Sequence, residues 1–163
     1  MRSIISLPDK RLRQKSLPVE YFDDGLKELS LEIQAAMLAG PGGVGIAAPQ
    51  IGEMSSVVLV DCRQTKRPCD NHGLLFLVNP EIISLTGGEV LGREGCLSVP
   101  EWTGMVPRAR DIHLRYHGLE GQELELTSSG FEARVIQHEI DHLYGVLFID
   151  RMISTHDLVR RAR

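Results

Sequence analysis

His138-Glu139-Ile140-Asp141-His142 holds the residues best suited to chemistry. Two histidines four positions apart share one face of an α-helix, so both imidazoles can reach one metal ion while the Glu139 carboxylate stands beside it as a base. A catalytic divalent ion normally takes three protein ligands and keeps a fourth position for water. A third ligand must therefore come from elsewhere in the chain. Upstream, Arg93-Glu94-Gly95-Cys96-Leu97-Ser98-Val99-Pro100 offers a thiolate, a strong soft donor, at Cys96, and Gly95 beside it permits close backbone approach to a ligand. Cys96, His138 and His142 are the expected metal ligands.

These side chains need elements to carry them. Ser129 with Glu132 three residues on has the form of a capping box, Phe131, Val135, His138, Ile140 and His142 fall within the helical stretch that follows, and Gly145 can end it. An earlier helix is expected from about residue 19 to 39, where Phe22, Leu26, Leu29, Ile33, Ala36 and Met37 recur at steps of three and four; Gly40 and Pro41 stop it. Residues 7–18, with two prolines and no apolar period, read as extended. Four glycines and a proline in residues 40–45, then Pro49, exclude an ordinary central strand there and call for a special backbone path. Short β-rich runs follow at 57–60, 74–78, 82–85, 111–116 and 123–126, with 118–121 as a hairpin turn between the last two. Without βαβ alternation, the expected class is α+β: short, mostly antiparallel sheets packed around a central metal-binding helix. At 163 residues, with no internal repeat, positions 1–163 are expected to form one domain.

Composition narrows the function. Hydrophobic residues at 42% supply enough side chain for a core, which excludes disorder as the default. A net charge of −4 offers no basic surface for a phosphate backbone, so no specific nucleic-acid partner is expected. No apolar run approaches the roughly 20 residues of a membrane span, and the first eight residues lack a signal-peptide core, so no membrane partner and a cytoplasmic location are expected. Three cysteines, Cys62, Cys69 and Cys96, lack framework spacing, which in a reducing compartment points to free thiols or metal ligation.

Three separated motifs carry a resemblance that spans nearly the whole chain: Gly43-Val44-Gly45-Ile46-Ala47-Ala48-Pro49-Gln50, Glu94-Gly95-Cys96-Leu97-Ser98 and Gln137-His138-Glu139-Ile140-Asp141-His142. In content, order and separation they resemble those of the peptide deformylases. That resemblance implies hydrolysis of the formyl group from N-formylmethionyl nascent peptides, with one divalent ion, Fe2+ foremost and Zn2+, Ni2+ or Co2+ able to take the same ligands. It implies Glu139 as general base and then acid, the Gln50 side-chain amide and Leu97 N–H as donors to the developing oxyanion, and Val44, Gly45 and Gly95 as substrate-binding positions. The short basic end lacks the terminal helix of some members, so transient ribosome association through Arg160, Arg161 and Arg163 has only weak support.

Two other readings compete. A general metallopeptidase with this helix would take a downstream ligand, but no Glu follows Glu139, and Phe148 stands where a third His would fall; Asp150 and Asp157 are the only acidic substitutes. A non-catalytic metal-binding protein would make Glu139 dispensable. Elsewhere, Asp141 reads as a supporting charge, Trp102 as a packing residue or groove border, Cys62, Cys69 and His72 as a solvated loop rather than a second metal site, and 157–163 as a solvated end.

Overall fold

The computed structural model describes residues 2–40 and 42–161; Met1, Pro41, Ala162 and Arg163 of the segments discussed above lie outside them. Helix α1 is Asp24–Ala39; strands are β1 Gly45–Ala47, β2 Val57–Asp61, β3 Leu74–Cys96, β4 Val99–His117 and β5 Glu123–Ser129; then come α2 Gly130–Leu143, the short α3 Phe148–Arg151 and β6 Val159–Arg160. The strands form one sheet in the order β1-β2-β3-β4-β5, all neighbours antiparallel, with β6 also paired to β4. This is the expected α+β class.

Strand β2 shows how the layers arise. Its Val57-Val58-Leu59-Val60 run is buried throughout, and successive side chains point to opposite faces. Val58 and Val60 pack with Ala133, Ile136 and Ile140 of α2; Val57 and Leu59 pack with Leu26, Ile33 and Met37 of α1. Each such burial contributes roughly 1.5–3 kcal/mol. Helix α2 is thus enclosed, with Glu132 through Ile140 all buried.

Runs 74–78 and 82–85 are not separate strands. They join in the 23-residue β3, which β4 follows through four register shifts. Such bulges bend a strand too long to stay flat. Asn79 adopts positive φ at the first shift, and its amide group bonds both N–H and C=O of Val19, which anchors the leading segment. The 118–121 turn forms as expected, closed by the Gly118 N–H to the Gln122 carbonyl.

Several local expectations are corrected. Helix α1 starts at Asp24, because the Asp23 side chain caps it by accepting from the Leu26 N–H. Residues 10–13 form a 3-10 turn within the segment expected to be extended, with Asp9 accepting from the Arg11 backbone and side chain and Leu12 fully buried beneath. The capping box does not form: Ser129 is exposed and makes no side-chain cap bond. Glu132 instead accepts from Ser128 Oγ at 2.8 Å and the His72 N–H at 2.6 Å, because β5 runs directly into α2 and turns Ser128, not Ser129, inward. The 157–163 end is not free through its described part, since Val159 and Arg160 pair with Thr103 and Trp102. No helix among the described residues is long and apolar enough to cross a membrane.

Ser129→Ala should leave stability within about 0.5 kcal/mol, whereas Ser128→Ala should cost about 1–3 kcal/mol by leaving buried Glu132 short of a donor. Urea unfolding of the two variants measures the contrast.

Candidate metal centre

Cys96 is the last residue of β3 and is followed by the tight Leu97-Ser98 turn into β4. The hairpin tip brings its sulfur to α2, where the Cys96 Sγ lies 3.4 Å from His142 Nε2. Cys96, His138 and His142 are all buried, and one ligand atom from each lies within 4.8 Å of the others. Bond lengths of about 2.0–2.3 Å from nitrogen and sulfur to a single ion can span that spread. Among the described residues, these three form the one cluster of His, Cys, Asp or Glu close enough to hold an ion.

The enclosed helix α2 puts many polar side chains out of water, and their partners can be counted. Arg134 donates to Glu94 and to the carbonyls of Val90 and Val106. Gln137 binds both the N–H and C=O of Ala109. His138 Nδ1 meets Glu94 Oε1 at 2.7 Å, which leaves Nε2 as its ligating atom. The exceptions are Glu139 Oε1 and His142 Nδ1, buried without a hydrogen-bond partner among the described residues. Buried polar atoms are rarely left so unless function requires it, and here they cluster beside the Cys/His/His set.

Electrostatics separate the two carboxylates. Burial would raise Glu94, but hydrogen bonds from His138 and Arg108 outweigh it and hold the group at about 2, so it stays charged. Glu139 lacks such donors, and burial pushes its carboxyl up to about 7. Gly45 lies directly against it: a Cβ there would come within 2.7 Å of Glu139 Oε2. Gln50 sits in the 3-10 turn that follows β1; its Oε1 accepts from the Ala47 N–H at 2.9 Å, turning Nε2 toward Ser98 Oγ at 3.1 Å and Cys96 Sγ at 3.6 Å.

One cleft is lined by Val44, Gly45, Gln50, Gly95, Cys96, Leu97, His138 and Glu139, with His142 fully buried behind it. All nine residues singled out from the sequence thus converge. Sequence reasoning missed Arg93, Glu94, Arg134 and Arg161, which line the same cleft, and Arg108, which holds Glu94. Glu94 stood in the second motif without an assigned role, and Arg134 carried a signal in its place four residues before His138 on the same helical face.

The comparisons agree with this geometry. A family model described as polypeptide deformylase matches residues 1–157. The chain belongs to the polypeptide deformylase family. It is 42% identical to a peptide deformylase of Syntrophobacter fumaroxidans over 97% of this chain and 91% of that protein, and 40% identical to one of Thermomicrobium roseum over 93% and 86%. Among solved structures it is similar to the Acinetobacter baumannii class I type b peptide deformylase bound to Met-Ala-Ser, with TM-score 0.86, 36% identity, and coverage of 93% of this chain and 99% of that one. The Thermotoga maritima peptide deformylase gives TM-score 0.86 at 35% identity, with 94% and 99% covered. The chain is therefore an enzyme, a metal-dependent deformylase acting on N-formylmethionine.

The competing readings lose their residues. Phe148, where a peptidase would carry a third histidine, is buried and stacked on His138; Asp150 is occupied by the Leu147 N–H and Arg13. Cys62 and Cys69 form no metal cluster with His72, whose Nδ1 meets Glu132. Trp102 is not among the residues lining this cleft and packs on the apolar cluster of Cys96, Val99, Val106, Leu147 and Phe148, and Asp141 pairs with Arg108 and Arg151.

Glu94→Gln removes the charge that fixes His138 and neutralises two buried arginines. Metal affinity should fall about 10–100-fold, as read by competition against a coloured chelator.

Proposed function

We propose that Cys96, His138 and His142 hold a single divalent ion, Fe2+ in the native enzyme, and that Glu139, Gln50 and Leu97 act around it on N-formylmethionyl ends of new polypeptides in the cytoplasm. The observation that carries this reading is the convergence of one sulfur and two imidazoles beside a buried, unpartnered Glu139 in one cleft. The donor set suits a borderline-soft ion such as Fe2+, Zn2+, Ni2+ or Co2+ better than a hard one. When bound, the ion supplies Lewis acidity, polarising a carbonyl and lowering the pKa of water.

The chain's own residues do the rest. Glu139 takes the proton of the attacking water and delivers it to the methionine nitrogen as formate leaves, a transfer suited to a carboxyl raised toward neutrality. Gln50 Nε2, its amide locked by the Ala47 N–H, and the Leu97 N–H donate to the formyl oxygen as it gains charge; loss of one such donor typically costs about 2.7–4 kcal/mol of barrier. Strand β1 ends the sheet on its side, leaving an edge at Val44 and Gly45 for an extended peptide to add to, with Gly95 across the cleft. We read residues 1–163 as a single catalytic domain. Its partner is the nascent peptide. Ribosome association gets little support from the basic end, where Arg160 stacks on Trp102 and Arg161 faces the cleft.

Formate release from formyl-Met-Ala, assayed anaerobically with each metal, tests the reading directly. Glu139→Ala should lower kcat by at least about 10²-fold while metal analysis still finds one ion per chain; retained turnover contradicts the assigned role. The iron form should lose activity on standing in air, through oxidation of the metal or its thiolate, while the nickel form keeps it.

A further inference from the structure

The end of the chain returns to the cleft. Strand β5 covers β4 only along Asp111–His117, and β6 takes the vacant edge nearer the hairpin tip, pairing Trp102 with Arg160 and Thr103 with Val159. Two further contacts fasten it: the Arg161 N–H donates to the Glu101 carbonyl at 2.7 Å, and the Arg160 guanidinium lies 5.4 Å over the Trp102 ring. Arg161 is thereby carried over Gly95, next to the metal ligand Cys96; a Cβ built on Gly95 would lie 3.5 Å from Arg161 Nη1.

Arg93 stands on the same side. It precedes Gly95 by two residues on β3, so the two positions share a face, and its Nη1 donates to Thr103 Oγ1 at 3.1 Å, the residue paired with Gly95. Both arginines are exposed, both line the cleft, and neither has a carboxylate within 4.0 Å among the described residues. The neighbouring Arg108 and Arg134 differ, being consumed by Glu94. A guanidinium offers five donors, and of the ten on Arg93 and Arg161 one makes a side-chain hydrogen bond among the described residues.

We infer that Arg161 and Arg93 form a cationic rim across Gly95 that favours formylmethionyl peptides bearing a carboxylate on either of the two residues after methionine. The inference rests on the deformylase reading of the cleft. With the formyl group at the metal centre and the peptide extended along β1, each following residue advances the chain about 3.3 Å, so the next two residues pass the rim rather than the buried interior. The contact persists from bound substrate through the transition state, so it acts on KM and leaves kcat alone.

The test uses the metal-loaded full chain and amide-capped peptides: formyl-Met-Glu-Ala, formyl-Met-Gln-Ala and formyl-Met-Lys-Ala, and the same three side chains moved one residue on. In one of the two series the Glu peptide should have a KM roughly 3–10-fold below that of the Lys peptide, the range one or two exposed ion pairs supply, with equal kcat. The ratio should shrink in roughly 0.5 M salt. The Arg93→Ala/Arg161→Ala double variant should bring it to about 1, and Arg161→Lys in an otherwise native chain should keep most of it. A ratio near 1 in the native chain in both series, or one that survives in the double variant, overturns the inference alone. Formate from none of the six peptides overturns the deformylase reading and the inference with it.

Discussion

The Glu94 carboxylate accepts from Arg108 Nε and Nη2, Arg134 Nη1 and His138 Nδ1, all at 2.7–3.0 Å. These donors come from β4 and from α2, while Glu94 itself is on β3. A charge taken out of water at this depth is tolerable only when its lone pairs are met by opposite charge, and removing one partner from such a set costs about 3–5 kcal/mol. The cluster therefore does two things at once. It fastens the hairpin to the helix, and it fixes the ring of a metal ligand in the orientation that aims its other nitrogen at Cys96. Arg108 extends the same network to Asp141 and Arg151, so the acidic residue between the two histidines is spent on support.

Around that cluster, the backbone decides what can approach. The long β3–β4 hairpin curls through its register shifts and delivers Cys96 at its tip. The glycines of the first motif leave room where side chains would collide: a Cβ at Gly45 meets Glu139 and Val135, and one at Gly43 meets the Met37 carbonyl at 3.0 Å. Enclosure of α2 then sharpens the chemistry. The same burial that makes Glu94 depend on two arginines and the His138 ring leaves Glu139 Oε1 without a hydrogen-bond partner among the described residues, and two carboxylates in one cleft acquire opposite protonation tendencies.

Much of this was legible in the residues, and the failures have physical causes. The i, i+4 histidines and the lone thiolate defined a ligand set because ligand chemistry tolerates few substitutes. Helix α1 was visible from its apolar periodicity and α2 from its start signal and the residues that follow it, while the four-residue α3 is too short to leave a pattern. The capping box failed at Ser129 because a strand entering a helix without a break can present the preceding residue inward, and Ser128 and Ser129 are chemically identical to a pattern. The extended reading of 7–18 failed because one Asp side chain can organise a short turn that has no periodicity to detect. The end near residue 160 read as solvated because two-residue pairing with a distant strand leaves no local signal.

The sequence by itself determined which atoms are available: one sulfur, two imidazoles, a carboxylate between them, and glycines where backbone must come close. Local rules reach that far, since helical spacing and donor chemistry are properties of near neighbours. Only the tertiary structure decided that Glu94 would be neutralised by Arg108 and Arg134, that Glu139 would be left without a partner, and that Arg161 would cross Gly95. Those outcomes depend on burial and on pairings between residues 14 to 66 positions apart, distances over which no periodicity in the chain carries information.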